Sequence, residues 1–140
     1  MNKAAYALRQ FQCHNCSQAV LAAFISREDS FLLKIASSFG AGMARGDTCG
    51  AVTGAYMTIG LRKGYETQTA ESGKLLRREV RFFNKAFIAE NGSLLCKELL
   101  GVNISTPRGR KQAIERQLFA TRCPLLIRSA CTILENKFLF

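Results

Sequence analysis

Cys16, Cys49, Cys96 and Cys123 are the residues of this chain best placed for chemistry. Each stands beside a helix-start signal. Cys16 follows the capping residue Asn15, and Cys49 follows Asp47-Thr48; Cys96 lies three residues after Ser93, and Cys123 directly precedes Pro124. A helix N-terminus carries partial positive charge and unpaired N–H donors, and both favour thiolate over thiol. Such a position predicts a lowered cysteine pKa, or a favourable seat for a negatively charged metal–thiolate centre. Three readings stand side by side: thiol–disulfide or other redox chemistry, ligation of zinc or an iron–sulfur cluster, and packing alone. The separations of 33, 47 and 27 residues lack the close pairs of zinc ribbons and ferredoxin-like sites, so a metal centre requires four helices to converge. Cys49 is the first candidate for the reactive thiolate, because two cap candidates and a glycine-rich segment surround it. Cys16 and Cys123 are the candidates to resolve an intermediate.

The other chemical residues are weaker signals. Cys13 and Cys16 form a C-x-x-C, "CHNC". Thioredoxin-type exchange places that motif between a strand and a helix, and no strand pattern precedes it here. His14 is the only histidine, which excludes a multi-histidine metal site; a loop residue without a role is the simpler reading of it. Cys131 lies on an apolar helix face and reads as core. Gly40, Gly42 and Gly46 break the pattern in "FGAGMARGD" and mark backbone that needs unusual dihedrals or close approach. Their amides could cradle an anion, but the Gly-Lys-Ser/Thr of a P-loop is absent.

The elements that must position these residues are helical nearly throughout. Periodicity predicts helices over Ala4–Phe11, from Cys16 with Val20, Leu21 and Phe24 inward, and from Asp29 or Ser30 to about Ser38 with Phe31, Leu32 and Ile35 inward. A central helix, apolar on all sides, runs from Asp47 or Thr48 to about Arg62, with Gly50 and Gly54 on one face for a close neighbour. A longer helix spans about Thr67 to Glu90; Leu76, Val80, Phe83 and Phe87 face inward, and Lys74, Arg77, Arg78, Arg81 and Lys85 form a charged side. A short helix capped by Ser93 ends at Leu100, a basic helix covers about Arg108–Phe119, and a last one runs from Pro124 to about Asn136. The expected fold is therefore all-α: one domain over residues 1–140, a bundle of seven to eight helices.

With 140 residues the chain can bury a core without disulfide staples. Six cysteines suit metal, catalytic or redox use in a reducing compartment. The N-terminus carries no apolar signal-peptide core, and the longest uncharged stretch, Thr48–Leu61, is too short to span a bilayer. A cytoplasmic protein without a membrane segment is the expectation. A net charge of +10 attracts anionic partners. A binding module for nucleic acid or an acidic protein is thus the reading from a different class. The lack of tryptophan, the three tyrosines and the absence of a nucleic-acid motif weigh against it.

The segments "NCSQAVLAAF", "FGAGMARGDTCGAVTGAYMTIGL", "GSLLCKELLG" and "CPLLIRSACTIL" together resemble the C_GCAxxG_C_C family of redox-active proteins. They run in the family's order over most of residues 11–134. The resemblance places the family cysteines on Cys16, Cys49, Cys96 and Cys123, and Cys13 is extra to the pattern. At the central motif this chain has Thr48-Cys49-Gly50-Ala51, with the glycine after the cysteine. What the resemblance implies is an all-helical protein with redox or metal chemistry. A thiol-dependent oxidoreductase with its own redox partner would fit it, as would a Cys-ligated iron–sulfur or zinc centre. A homodimer is expected if the apolar helices exceed what one small domain covers.

Overall fold

Cap and break signals divide the chain into helices in the computed structural model, which describes residues 2–26 and 29–140. The helices are α1 (Lys3–Gln10), α2 (Cys16–Ala22), α3 (Ser30–Ala36), α4 (Gly50–Lys63), α5 (Ala70–Asn91), α6 (Cys96–Leu100), α7 (Pro107–Glu115), the single turn α8 (Leu118–Thr121) and α9 (Cys123–Phe138). Two 3-10 turns, Ser37–Phe39 and Ala41–Ala44, connect α3 to α4. The fold is all-α, as its periodicity predicts. Among the described residues β pairing amounts to one isolated antiparallel bridge, Thr48 with Leu95.

Local chemistry explains most boundaries. Asn15 closes a capping box with Gln18 at the start of α2, and Thr69 with Ser72 does the same for α5. Thr106 caps α7, where Pro107 fits the first turn. Gly92, with φ 91°, ends α5 in the left-handed region. Two starts come later than expected. Cys49 itself occupies the N-cap of α4 in place of Asp47 or Thr48, and Leu95 that of α6 in place of Ser93. The Thr48–Leu95 pairing holds both segments extended, so each helix begins only beyond it.

Helix α4 is central. Ala51, Val52, Ala55 and Ile59 have no exposure. Gly54 lets α2 approach closely: a Cβ there would lie 2.6 Å from the Ser17 carbonyl oxygen and 3.0 Å from Val20 Cβ. The larger hydrophobic cluster joins Ala7, Val20, Val52, Phe83, Ile127 and Leu134 from α1, α2, α4, α5 and α9. Phe83 and Phe87 stack within it, ring centroids 5.8 Å apart. A smaller cluster gathers Cys96, Leu100, Val102, Ile104, Ala113 and Leu118 from α6 to α8.

Two expectations are corrected. In α3, Phe31 and Ile35 face outward, 73% and 50% exposed. This short helix is anchored by Ala36 and by polar bonds instead. Gln18 Nε2 donates to the Leu33 carbonyl at 3.0 Å, and Ser17 Oγ donates to that of Ala36 at 2.7 Å. The basic helix also stops before Phe119, because Gln117 turns left-handed with φ 56°.

Candidate functional site

The four cysteines at helix starts occupy equivalent positions: Cys16, Cys96 and Cys123 are the first residues of α2, α6 and α9, and Cys49 is the N-cap of α4. Three local ties bring them together. Gly50 seats α4 against α2, since a Cβ at Gly50 would lie 2.1 Å from Cys16 Sγ. The Thr48–Leu95 bridge joins the starts of α4 and α6: Cys49 N–H donates to the Leu94 carbonyl at 2.8 Å, and Cys96 N–H to that of Asp47 at 2.6 Å. Arg122 then donates to the Leu99 carbonyl at 2.9 Å, holding the start of α9 beside α6.

All four side chains line one cavity of about 170 Å³. Its walls take Phe11 and Leu126 from around the larger cluster and Leu100, Ile104 and Phe119 from around the smaller one. The site therefore lies between the two hydrophobic clusters. Cys49 and Cys96 are buried, whereas Cys16 and Cys123 are half-buried.

Ala41 joins the cavity wall from a segment, residues 40–46, with an unusual backbone. Ala41, Gly42, Met43 and Ala44 all have positive φ, between 53° and 65°. Three of these are not glycine, and a left-handed residue with a Cβ costs roughly 1–2 kcal/mol. The chain entering the segment is held at two carbonyls. Asn15 Nδ2 donates to the Ser37 carbonyl at 2.8 Å, and Thr53 Oγ1 donates to the Phe39 carbonyl at 2.7 Å. Gly42 faces Cys96 Cβ, which a Cβ of its own would meet at 3.0 Å.

The predicted lowering of thiol pKa values is reversed. Burial pushes all four thiols up, because a thiolate loses more hydration than the helix-start N–H groups return. Cys96 is pushed up to about 11 by burial and then by the neighbouring Cys16. Cys123 is pushed up to about 12 by burial, Cys16 and Cys96, against a lowering by Arg122. Cys49, the first candidate for a thiolate, is raised well above the ordinary range by burial, then by Cys16 and Cys96. Cys16 is raised by burial too, but backbone hydrogen bonds from Ala41, Cys16, Ser17 and Gly50 oppose it. A charge on Cys16 acts on each of the other three sulfurs, so Cys16 stands at the electrostatic centre of the group.

Among the described residues, no three His, Cys, Asp or Glu side chains are arranged so as to hold a metal ion. A zinc or iron–sulfur centre would need the thiols to reorient around the cavity. Cys13 lies apart, exposed in the α1–α2 turn with its Sγ 3.2 Å from His14 Nδ1. Cys131 is fully buried in the larger cluster, as its apolar face predicts. Sequence reasoning missed Ala41 and Arg110, both of which line the cavity. Arg110, read only as part of a basic run, sits with its guanidinium 5.6 Å from the Phe119 ring centroid. No local signal marks either residue; both arrive through long-range packing.

A family model described as "Putative redox-active protein (C_GCAxxG_C_C)" matches residues 14–137. No curated protein and no solved structure matches the chain.

Proposed function

The chain belongs to the C_GCAxxG_C_C family of redox-active proteins, and from that premise we propose that Cys16, Cys49, Cys96 and Cys123 form one thiol–disulfide redox centre. The observation that carries this reading is the shared cavity: four cysteines from four helix starts on one largely apolar wall. Both end states of such a couple suit that environment. A protonated thiol pair and a disulfide are each uncharged, whereas a lone thiolate is costly there. Oxidation forms one S–S bond and releases two electrons and two protons to a redox partner. Cys16 is the candidate thiolate: burial raises its pKa, but four backbone groups oppose that rise by stabilising its anion. Cys49, buried and crowded by Cys16 and Cys96, suits the role of its partner in the disulfide.

A second reading, a Cys-ligated iron–sulfur cluster, draws on the same convergence of four thiols around one void. Cluster chemistry would supply one-electron transfer without a disulfide. Metal analysis and a thiol count on anaerobically purified protein separate the two. The disulfide reading expects metal-free protein whose thiol count falls by two on mild oxidation and recovers on reduction. Stoichiometric iron and sulfide would overturn it in favour of the cluster.

A further inference from the structure

Cys13 and His14 sit outside the cavity, and Cys13 stands one residue before the family match begins. Their geometry sets a thiol beside an imidazole nitrogen and a carbonyl oxygen. Cys13 Sγ lies 3.2 Å from His14 Nδ1. That nitrogen lies 3.1 Å from the Gln10 carbonyl oxygen, which is itself 3.7 Å from the sulfur. The triangle accommodates the proton on either side of a transfer. In the thiol form, S–H donates to Nδ1 or to the carbonyl. With the proton on the ring, Nδ1–H donates to the sulfur and the carbonyl. Nucleophile, base and orienting group thus stand within reach of one another. The end of α1 fixes this arrangement, since Cys13 N–H also donates to the Gln10 carbonyl at 3.1 Å.

Exposure and position give the pair a direction. Cys13 is open to solvent, and three residues later Cys16 lines the cavity at the start of α2. Of the two cysteines of the C-x-x-C, Cys16 is the one that also belongs to the cavity wall. We propose that Cys13 is the surface thiol through which external disulfides exchange with the cavity cysteines, with Cys16 as the resolving thiol. The proposal rests on the disulfide reading above and names the entry point to that centre.

The chemistry is two successive exchanges. Cys13 Sγ passes its proton to His14 Nδ1 and attacks one sulfur of the external disulfide. A mixed disulfide forms, the external S–S bond breaks, and the departing sulfur takes the proton and leaves as a thiol. Cys16 Sγ then attacks Cys13 Sγ; the Cys13–Cys16 bond forms, and the second external thiol leaves with the Cys16 proton. The external disulfide has gained two electrons and two protons, and the protein dithiol has lost them. Attack of a cavity thiol on Cys16 Sγ returns Cys13 to its thiol form and leaves a disulfide inside.

The test uses the reduced full chain under anaerobic conditions. It is mixed with oxidised glutathione, or in a parallel arm with a disulfide-linked peptide dimer, then quenched in acid and mapped by mass spectrometry. The faster arm identifies which source of disulfide the surface accepts. In Cys16→Ser, the glutathione adduct should accumulate on Cys13. Cys13→Ser should slow glutathione consumption at least tenfold, and His14→Gln should slow it in the same direction. Adduct on another cysteine in Cys16→Ser, or consumption unchanged by Cys13→Ser, overturns the proposal. Should Cys16→Ser fail to fold, the exposed Cys13→Ser substitution decides alone. The same map keeps the two readings apart. A Cys13–Cys16 bond with Cys49, Cys96 and Cys123 left as thiols would sink the cavity centre and leave the entry thiol standing. Cavity oxidation that is equally fast in Cys13→Ser would do the reverse.

Discussion

A thiol packed among apolar side chains loses the water that would stabilise its anion, and Cys96 and Cys123 carry the consequence to about 11 and 12. The sign of the effect on stability follows from proton binding. Between the ordinary value of 9.0 and these raised values, the folded chain holds thiol protons that the unfolded chain has released. Stability from this source is fully present below pH 9 and is lost as pH climbs toward 11–12. The urea midpoint of the reduced protein should therefore fall between pH 8 and pH 10.5, and Cys123→Ala should flatten that fall. A flat midpoint in the parent chain would remove the argument from burial. Cys13, exposed beside His14, lies outside this reasoning; its proposed role is argued from local geometry.

At the scale of elements, the site depends on one glycine and one strained turn. Gly50 leaves no room for a side chain: its Cβ would lie 2.1 Å from Cys16 Sγ, 3.0 Å from Gly40 Cα and 3.1 Å from Ser17 N. Gly50→Ala should destabilise the fold by about 1–3 kcal/mol, the usual cost of overpacking. It should also change the reactivity of Cys16 toward a thiol reagent while the helical far-UV spectrum persists. Retained stability and unchanged Cys16 reactivity would contradict the close approach of α2 and α4. The left-handed turn argues the opposite way. Ala44 is exposed and has φ 59°, so glycine there relieves backbone strain without opening a cavity. Ala44→Gly should stabilise the protein by about 0.5–1 kcal/mol, the relief exceeding the added entropy of the unfolded glycine. Calorimetry of the two variants tests both signs.

For the molecule as a whole, the cavity is the seam between the larger and smaller hydrophobic clusters. The proposed disulfide between Cys16 and Cys49 would tie the starts of α2 and α4 at that seam and close a loop across 33 positions. Chain entropy then contributes roughly 4 kcal/mol, before any native-state strain. Oxidised protein should melt several degrees above reduced protein, and that gap should vanish in Cys49→Ser. Identical melting of the two forms would mean that no disulfide links Cys16 and Cys49. Elsewhere the surface is simpler. Lys74, Arg77, Arg78, Arg81 and Lys85 lie exposed along α5, a solvated basic face. Among the described residues no helix is long and apolar enough to cross a membrane.

The helical character of the chain, most helix boundaries and the shared helix-start position of four cysteines were legible from the sequence alone. Those features are local: the Asn15 and Thr69 caps, the Gly92 stop and the 3.6-residue spacing of Phe83 and Phe87 act within a turn or two of the residues that carry them. Where pairing between distant segments intervened, local reading slipped, as at Cys49 and Leu95, whose helices start only after the Thr48–Leu95 bridge. Only the tertiary structure decided that the four cysteines line one cavity, that Ala41 and Arg110 join them, and that Phe31 and Ile35 turn outward. It also decided the sign of the thiol pKa shifts. A helix start favours a thiolate, but removal of water outweighs it, and how much water is removed depends on walls contributed by α2, α4, α6 and α9 together.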